Sequence, residues 1–316
     1  MIGLDTAKSV FQVHAVNEAG KAEVRRKLRR GEVVPFFAAQ PACTVVLEAC
    51  GAAHHWARVL TGLGHEVKLI APEAVRPFVK RGMKNDAADA AALCEAARRP
   101  KVRFVPAKSA EQQATLALHA ARSLLVKQRT MLANAVRGLA TEFGLTAPQG
   151  MDKLARLTAL AEADAAVPAG ARQAVRGLLE QCRVLSESVE ALEAEIVAHA
   201  RRDGTARRLA TIPGIGPVTA SLIAATVADI GAFASARSFA AWLGLVPRQH
   251  STGGKTRLGR ITKAGNREIR RSPVLGATSM VYRAGVWNSA AGAWVRGVLE
   301  RRPVRLATVA LANSQV

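Results

Sequence analysis

The rhythm of apolar and polar positions changes along this chain, and each change marks a region. Residues 1–5 form a short apolar strand that ends on an acid, Asp5. Residues 11–16 alternate apolar and polar as a second strand, 17–20 turn, and 22–28 return as a third, so the opening reads as an antiparallel meander. A short helix is expected at 33–40. Residues 43–48 are a continuous apolar run of the kind buried on both faces of a sheet, and this run also ends on an acid, Glu48. A helix at 54–63 and a strand at 67–71 follow. Pro72 then opens a basic segment holding Arg76, Lys80, Arg81 and Lys84, which leads into an alanine-rich helix at 87–98. The order is βββαβαβα.

From 111 to about 143 the period becomes helical, with Arg122, Lys127, Arg129 and Arg137 on the polar face. A polar turn at 147–150 precedes a shorter helix at 153–161. After Pro168, Val175, Leu178, Cys182, Leu185, Val189, Leu192 and Ile196 repeat at alternating steps of three and four, with glutamates outside this seam. Such a seam serves either a hairpin with the first long helix or a coiled coil between chains. From residue 206 the pattern shifts again. Ile212-Pro213-Gly214-Ile215-Gly216-Pro217 is a turn between helices that offers the amides around Gly214 and Gly216 to a phosphate, as a helix-hairpin-helix does. The simpler reading is a tight turn that needs glycine. Residues 274–310 are largely apolar and helical. The expected fold is α/β plus all-α, in three domains: 1–107, 108–204 and 205–316.

Charge then narrows the partner. Lys and Arg number 45 against 24 Asp and Glu, a formal +21 across 316 residues, while 49% of residues are hydrophobic. A chain this long with that hydrophobic share folds around sizeable cores, and its basic excess points to a polyanion. Nucleic acid comes first. A membrane surface is disfavoured, because no apolar span of about 18 residues and no basic amphipathic segment is present. Four cysteines without CxxC pairing read as reduced thiols of a cytoplasmic protein.

The acids carry the candidate chemistry. Asp86 and Asp89 stand one helical turn apart, on one face. Taken alone they suit a helix N-terminus. Asp5 and Glu48 at the ends of dry apolar strands change that balance, because a carboxylate there is costly unless it is paired or holds a cation. Four converging carboxylates cannot all stay ionised without one. An oxygen-only set suits Mg²⁺ or Mn²⁺. The most basic stretch follows residue 247, with Arg248, Lys255, Arg257, Arg260, Lys263 and Arg267 around Ser251-Thr252-Gly253-Gly254. On the residues alone this is a flexible phosphate-gripping loop, since no histidine–carboxylate pair flags Ser251 as activated.

These motifs together resemble one family. Gly3-Leu4-Asp5-Thr6-Ala7-Lys8, Val46-Leu47-Glu48 and Lys84-Asn85-Asp86-Ala87-Ala88-Asp89-Ala90 resemble the first-domain signature of the DEDD insertion-sequence transposases. Ile212-Pro213-Gly214-Ile215-Gly216 and the run Gly244-Leu245-Val246-Pro247-Arg248-Gln249-His250-Ser251-Thr252-Gly253-Gly254-Lys255 resemble its second. The resemblance implies a RuvC-like RNase H domain, a helical coiled-coil region and a transposase domain carrying a serine. It implies Mg²⁺ on Asp5, Glu48, Asp86 and Asp89, and Ser251 as a nucleophile forming a transient phosphoserine link, with Thr252 as the neighbouring hydroxyl. It further implies donor and target DNA, a non-coding guide (bridge) RNA, and a homo-oligomer, dimeric and then tetrameric when active. The alternatives are a RuvC-like nuclease using metal-bound water, and a nucleic-acid-binding protein whose acids are structural. One departure is Pro273, placed where an apolar helix is expected to continue.

Overall fold

In the computed structural model the described residues are 1–79 and 85–315. They divide into two compact units, Met1–Gln113 and Ala114–Val316.

The first unit is built on strands β1 (Ile2–Thr6), β2 (Val10–Val16), β3 (Ala22–Arg29), β4 (Thr44–Glu48), β5 (Glu66–Ile70) and β6 (Phe104–Val105). They form one sheet in the order β3-β2-β1-β4-β5-β6. The first three are antiparallel, β1, β4 and β5 are parallel, and β6 closes the edge antiparallel to β5. Helices α1 (Val33–Ala38), α2 (Ala53–Gly62), α3 (Pro72–Val75) and α4 (Asp86–Ala97) connect them. Side-chain alternation sorts the two faces. Ile2, Leu4, Val45 and Leu47 pack with Phe37 of α1 and with Trp56, Ala57 and Leu60 of α2. Val46 and Ile70 point the other way, into Val75 of α3 and Ala92, Leu93 and Ala96 of α4. Strand β4 is therefore covered on both faces, which is why its sequence is apolar without a break. Strand β6 was not expected, because two residues are too few to show a period.

The second unit contains most of α5 (Ala110–Thr141), followed by α6 (Leu154–Ala163), α7 (Ala169–Arg202), α8 (Gly204–Leu209), α9 (Pro217–Thr226) and α10 (Ala236–Trp242). A two-stranded ribbon, β7 (Pro247–Gln249) and β8 (Leu258–Ile261), precedes α11 (Arg267–Tyr282), α12 (Ala290–Leu299) and α13 (Val304–Ser314). Of the two uses open to the heptad seam, its buried positions serve a hairpin within the chain. Arg122 donates to Glu193 at 2.8 Å, Arg129 to Ser186 at 3.4 Å, and Thr115 meets His199 at 3.2 Å, so α5 and α7 run antiparallel. Val175, Cys182, Val189 and Ile196 are buried, while Leu178, Leu185 and Leu192 are half-buried. Ile196→Ala should lower stability by about 2–4 kcal/mol, read as a reduced midpoint of urea unfolding at unchanged slope.

Helix α11 runs through Pro273, which is buried rather than breaking the helix. Among the described residues no helix is long and apolar enough to cross a membrane.

Candidate active site

The register of the sheet brings the first two acids together. Strands β1 and β4 pair in parallel through Leu4 and Leu47, so Asp5 and Glu48 follow as the next neighbours. Both lie on the face that α4 covers, two residues beyond Gly3 and Val46 respectively. Gly3 sets how closely α4 approaches. A Cβ there would overlap the carbonyl oxygen of Ala90 and stand 3.0 Å from Cys94 Sγ. Only a bare Cα lets the helix backbone sit on β1 at this point. The Cys94 thiol adds a bond to the carbonyl of His14 at 3.3 Å. With Ala90 fixed over Gly3, the first turn of α4 carries Asp86 and Asp89 toward the end of β1.

The first turn of α4 is capped by Asn85, whose side-chain oxygen accepts from the Ala88 N–H at 2.8 Å. The cap that a bland reading would give to the aspartates is thus made by another residue. The charges of the aspartates bear on Asp5. Burial, then Asp89, then Asp86, with Glu48 last, push the Asp5 carboxyl from 3.8 up to about 6, against a lowering hydrogen bond from the Thr6 backbone. Among the described residues no three carboxylate, imidazole or thiol groups lie close enough together to ligate one ion. Coulomb repulsion reaches beyond ligating distance, so the two observations are compatible. The donor set is all carboxylate oxygen and of one sign, which fits a hard divalent cation.

Ser251 stands in the other unit. The loop expected there to be flexible is folded as the β7–β8 ribbon. The Lys255 N–H donates to the Thr252 carbonyl at 3.1 Å across Gly253 and Gly254, whose φ values of +55° and +75° give the two-residue turn favoured in hairpins. His250 N–H donates to the Arg257 carbonyl at 2.7 Å. At the base, Gly244 and Gly265 have positive φ, and a side chain on either would strike the backbone of Ala264 or Trp242. The base is thus clasped backbone to backbone, while every residue from 247 to 260 is exposed. Ser251 Oγ accepts from the Gln249 amide at 2.8 Å. Arg248 donates across the ribbon to the Thr262 carbonyl at 3.2 Å. Lys255, Arg257, Arg260, Lys263 and Arg267 are exposed.

The helix-turn motif divides its glycines. Gly214, at φ +84°, packs on α11, where a side chain would meet Met280 Sδ, and where a side chain on Gly276 would strike the Gly214 carbonyl. Gly216 opens on empty space at the start of α9.

Two family models match this chain: one described as "Transposase" over residues 2–144, and "Transposase IS116/IS110/IS902 family" over 206–292. The first is the DEDD model of that family. A putative transposase of Sinorhizobium fredii is 48% identical over 99% of this chain and 81% of its own length. A probable family 20 transposase of Pseudomonas aeruginosa is 49% identical over 99% and 93%. The transposase for insertion sequence element IS1328 of Yersinia enterocolitica is 40% identical over 99% and 93%. The chain belongs to the IS110/IS116 family of DEDD transposases. As an enzyme it is a DNA transposase.

For this transposase, the fold explains how Glu48, Asp86 and Asp89 come within electrostatic reach of Asp5. Lys84 lies outside the described residues. Two residues with a part in the geometry carried no role in the sequence reading. Asn85 was readable, since an asparagine before an alanine-rich helix is a cap signal. Gln249 was not, because its bond to Ser251 depends on the ribbon.

Proposed function

We propose that this transposase cuts and rejoins DNA through a divalent-cation site on Asp5, Glu48, Asp86 and Asp89 and through attack by Ser251, guided by a non-coding RNA. The observation that carries the reading is the raised carboxyl of Asp5, pushed up by burial and then by Asp89 and Asp86 of α4 and Glu48 of β4, in a DEDD transposase. The sheet order, with an antiparallel meander leading into parallel β1, β4 and β5, supports the RuvC-like RNase H assignment. The family setting supports divalent-metal dependence. Mg²⁺ or Mn²⁺ held by these acids would offset negative charge developing on the phosphate.

The chain's own residues do the rest. Ser251 Oγ forms a bond to phosphorus as one backbone P–O bond breaks, and the proton given up by the serine hydroxyl ends on the departing oxygen. Bond energy is thereby kept in the phosphoserine ester, so a new strand can be joined without another energy source. Lys255 and Arg257 hold phosphate oxygens by charge-assisted bonds, and Gly253 and Gly254 let the backbone come close. The acids and the serine belong to different compact units, and protomers of a homo-oligomer bring them together, with 1–107 as catalytic domain, 108–204 as helical region and 205–316 as transposase domain. Arg248, Arg260, Lys263, Arg267, Lys84, Gly214 and Gly216 contact nucleic acid in this reading.

One observation favours the hydrolytic alternative: among the described residues Ser251 is hydrogen-bonded by an amide donor, Gln249, and not by a base. A trapping experiment decides. Labelled DNA reacted with the protein and denatured should carry label into the protein band, and Ser251→Ala should abolish that adduct while Thr252→Ala keeps it. Cutting without any adduct in the wild type would overturn the serine route in favour of water. Recombination that survives ribonuclease treatment before DNA is added would remove the guide RNA.

A further inference from the structure

Strand β3 carries a row of cations on the face of the sheet that holds the carboxylates. Gln12 pairs with Asp5 and His14 with Gly3 across β1 and β2. Across β2 and β3, Lys27 pairs with Gln12, Arg25 with His14 and Arg29 with Val10. Residues paired across antiparallel strands share a face, so Arg25, Lys27 and Arg29 look out beside Asp5 at steps of about 6.7 Å. All three are exposed. None takes part in the ion pairs seen among the described residues. The opposite face of β3 is used differently: Leu28 is buried in the core, and Arg26 lies over the Phe36 ring at 5.7 Å from its centroid.

Charged side chains on an edge strand often serve only to prevent edge-to-edge pairing. That purpose does not explain the cavity next to them. A cavity of about 390 Å³ opens between this hairpin and α4, lined by His14, Arg25, Phe78, Ala88, Ala91 and Arg98, among others. Among the described residues the one carboxylate on its wall, Glu95, is already paired with Arg99. Arg98 is held over the Gly20 turn and donates to the Glu18 carbonyl at 3.1 Å. Buried His14 sits between Arg25 and Gly3, with its imidazole pKa lowered by burial and then by Arg25. Apart from the paired Glu95, the described lining is cationic or neutral, one helical turn from Asp89, and about the size that accepts a nucleotide.

We propose that β3 is the track for the phosphate backbone of the DNA strand delivered to the four carboxylates, with the adjoining cavity receiving one nucleotide of it. This rests on the proposed carboxylate site for the identity of the strand, and its test is a binding measurement that does not need catalysis. The affinity of the full chain for a short fluorescent single-stranded DNA is measured against salt. Removing three phosphate contacts should make the slope of log K against log[salt] shallower by about 2. The triple variant Arg25→Gln, Lys27→Gln, Arg29→Gln should show this, Lys27→Gln alone about a third of it, and Lys27→Arg none. Arg26→Gln, which removes the same charge from the opposite face, should leave the slope unchanged. Circular dichroism confirms that the variants fold.

An unchanged slope in the folded triple variant overturns the proposal. So does an equal loss with Arg26→Gln, which would reflect net charge alone. A loss on an RNA oligonucleotide without one on DNA would assign the track to another strand and overturn the proposal as stated. Asp86→Asn separates the two readings. If it cleaves normally, the carboxylate reading fails while the slope result stands. If it is inactive and the triple variant keeps its slope, the track alone fails.

Discussion

Asp5→Asn and Asp86→Asn should each lower DNA cleavage at least about 100-fold while leaving DNA binding intact, because each removes an oxygen donor from the place where charge develops. The pH dependence is the sharper readout. Asp5 must be ionised to hold a cation, and its carboxyl has been pushed up to about 6. The half-saturating Mg²⁺ concentration should therefore rise as pH falls below about 6, and the Asp5→Asn protein should lack this dependence. Without added metal the same shift acts on stability. Between 3.8 and about 6 the folded chain keeps a proton on Asp5 that the unfolded chain has released, so this group's contribution declines as pH climbs through that window. Asp5→Asn should therefore gain on the wild type up to about pH 6, by on the order of 1–2 kcal/mol once partial exposure is discounted.

His54 works in the opposite direction. Burial, with Lys108 and Arg58 nearby, holds its imidazole down to about 4, so its contribution is lost as pH falls from 6.5. Both proteins carry His54, so the difference between their thermal unfolding curves isolates Asp5. A difference that is flat between pH 4 and 7, with cleavage retained, would remove the four acids from the chemistry.

Gly3→Val should be nearly as damaging without touching an acid. The new side chain enters the space of the Ala90 carbonyl and Cys94, so α4 must lift from β1. Overpacking of this kind costs about 1–3 kcal/mol, and misplacing catalytic groups by about 1 Å can cost about 100-fold in rate. The variant also predicts a spectroscopic change. Moving Asp86 and Asp89 away lowers the Asp5 pKa toward its ordinary value, which a carboxyl NMR titration measures. A folded Gly3→Val protein with full activity and an unmoved Asp5 titration would contradict this account of how the acids are gathered.

The sheet and its acids were legible because they rest on local signals. Period-two alternation marked β2, the unbroken apolar run marked β4, and an acid closing a dry strand marked Asp5 and Glu48. The element limits moved by only a residue or two, the usual uncertainty of fraying ends. What escaped depends on contacts between distant residues. Gly3 looks like any strand glycine until α4 is laid on it. The cations of β3 occupy alternate positions, but Arg26 sits between them and hides the period, since its stem packs on Phe36 while its charge reads as another surface residue. At Ser251 the run of glycines suggested looseness. In the ribbon, two of those glycines are the positive-φ pair that makes a tight turn, and the clasp at Gly244 and Gly265 is invisible without the packing.

That clasp has a consequence for how such chains diversify. Folding energy is invested below the ribbon, in backbone contacts that admit almost no substitution, while residues 247–260 are all exposed and exchanges at such sites typically change stability by under about 0.5 kcal/mol. Mutational drift can therefore rewrite the tip without unfolding the scaffold. Apart from Gly253 and Gly254, whose positive φ the turn itself requires, any position there that tolerates few replacements in a saturation library, selected first for expression and then for transposition, is being held by chemistry and not by the fold.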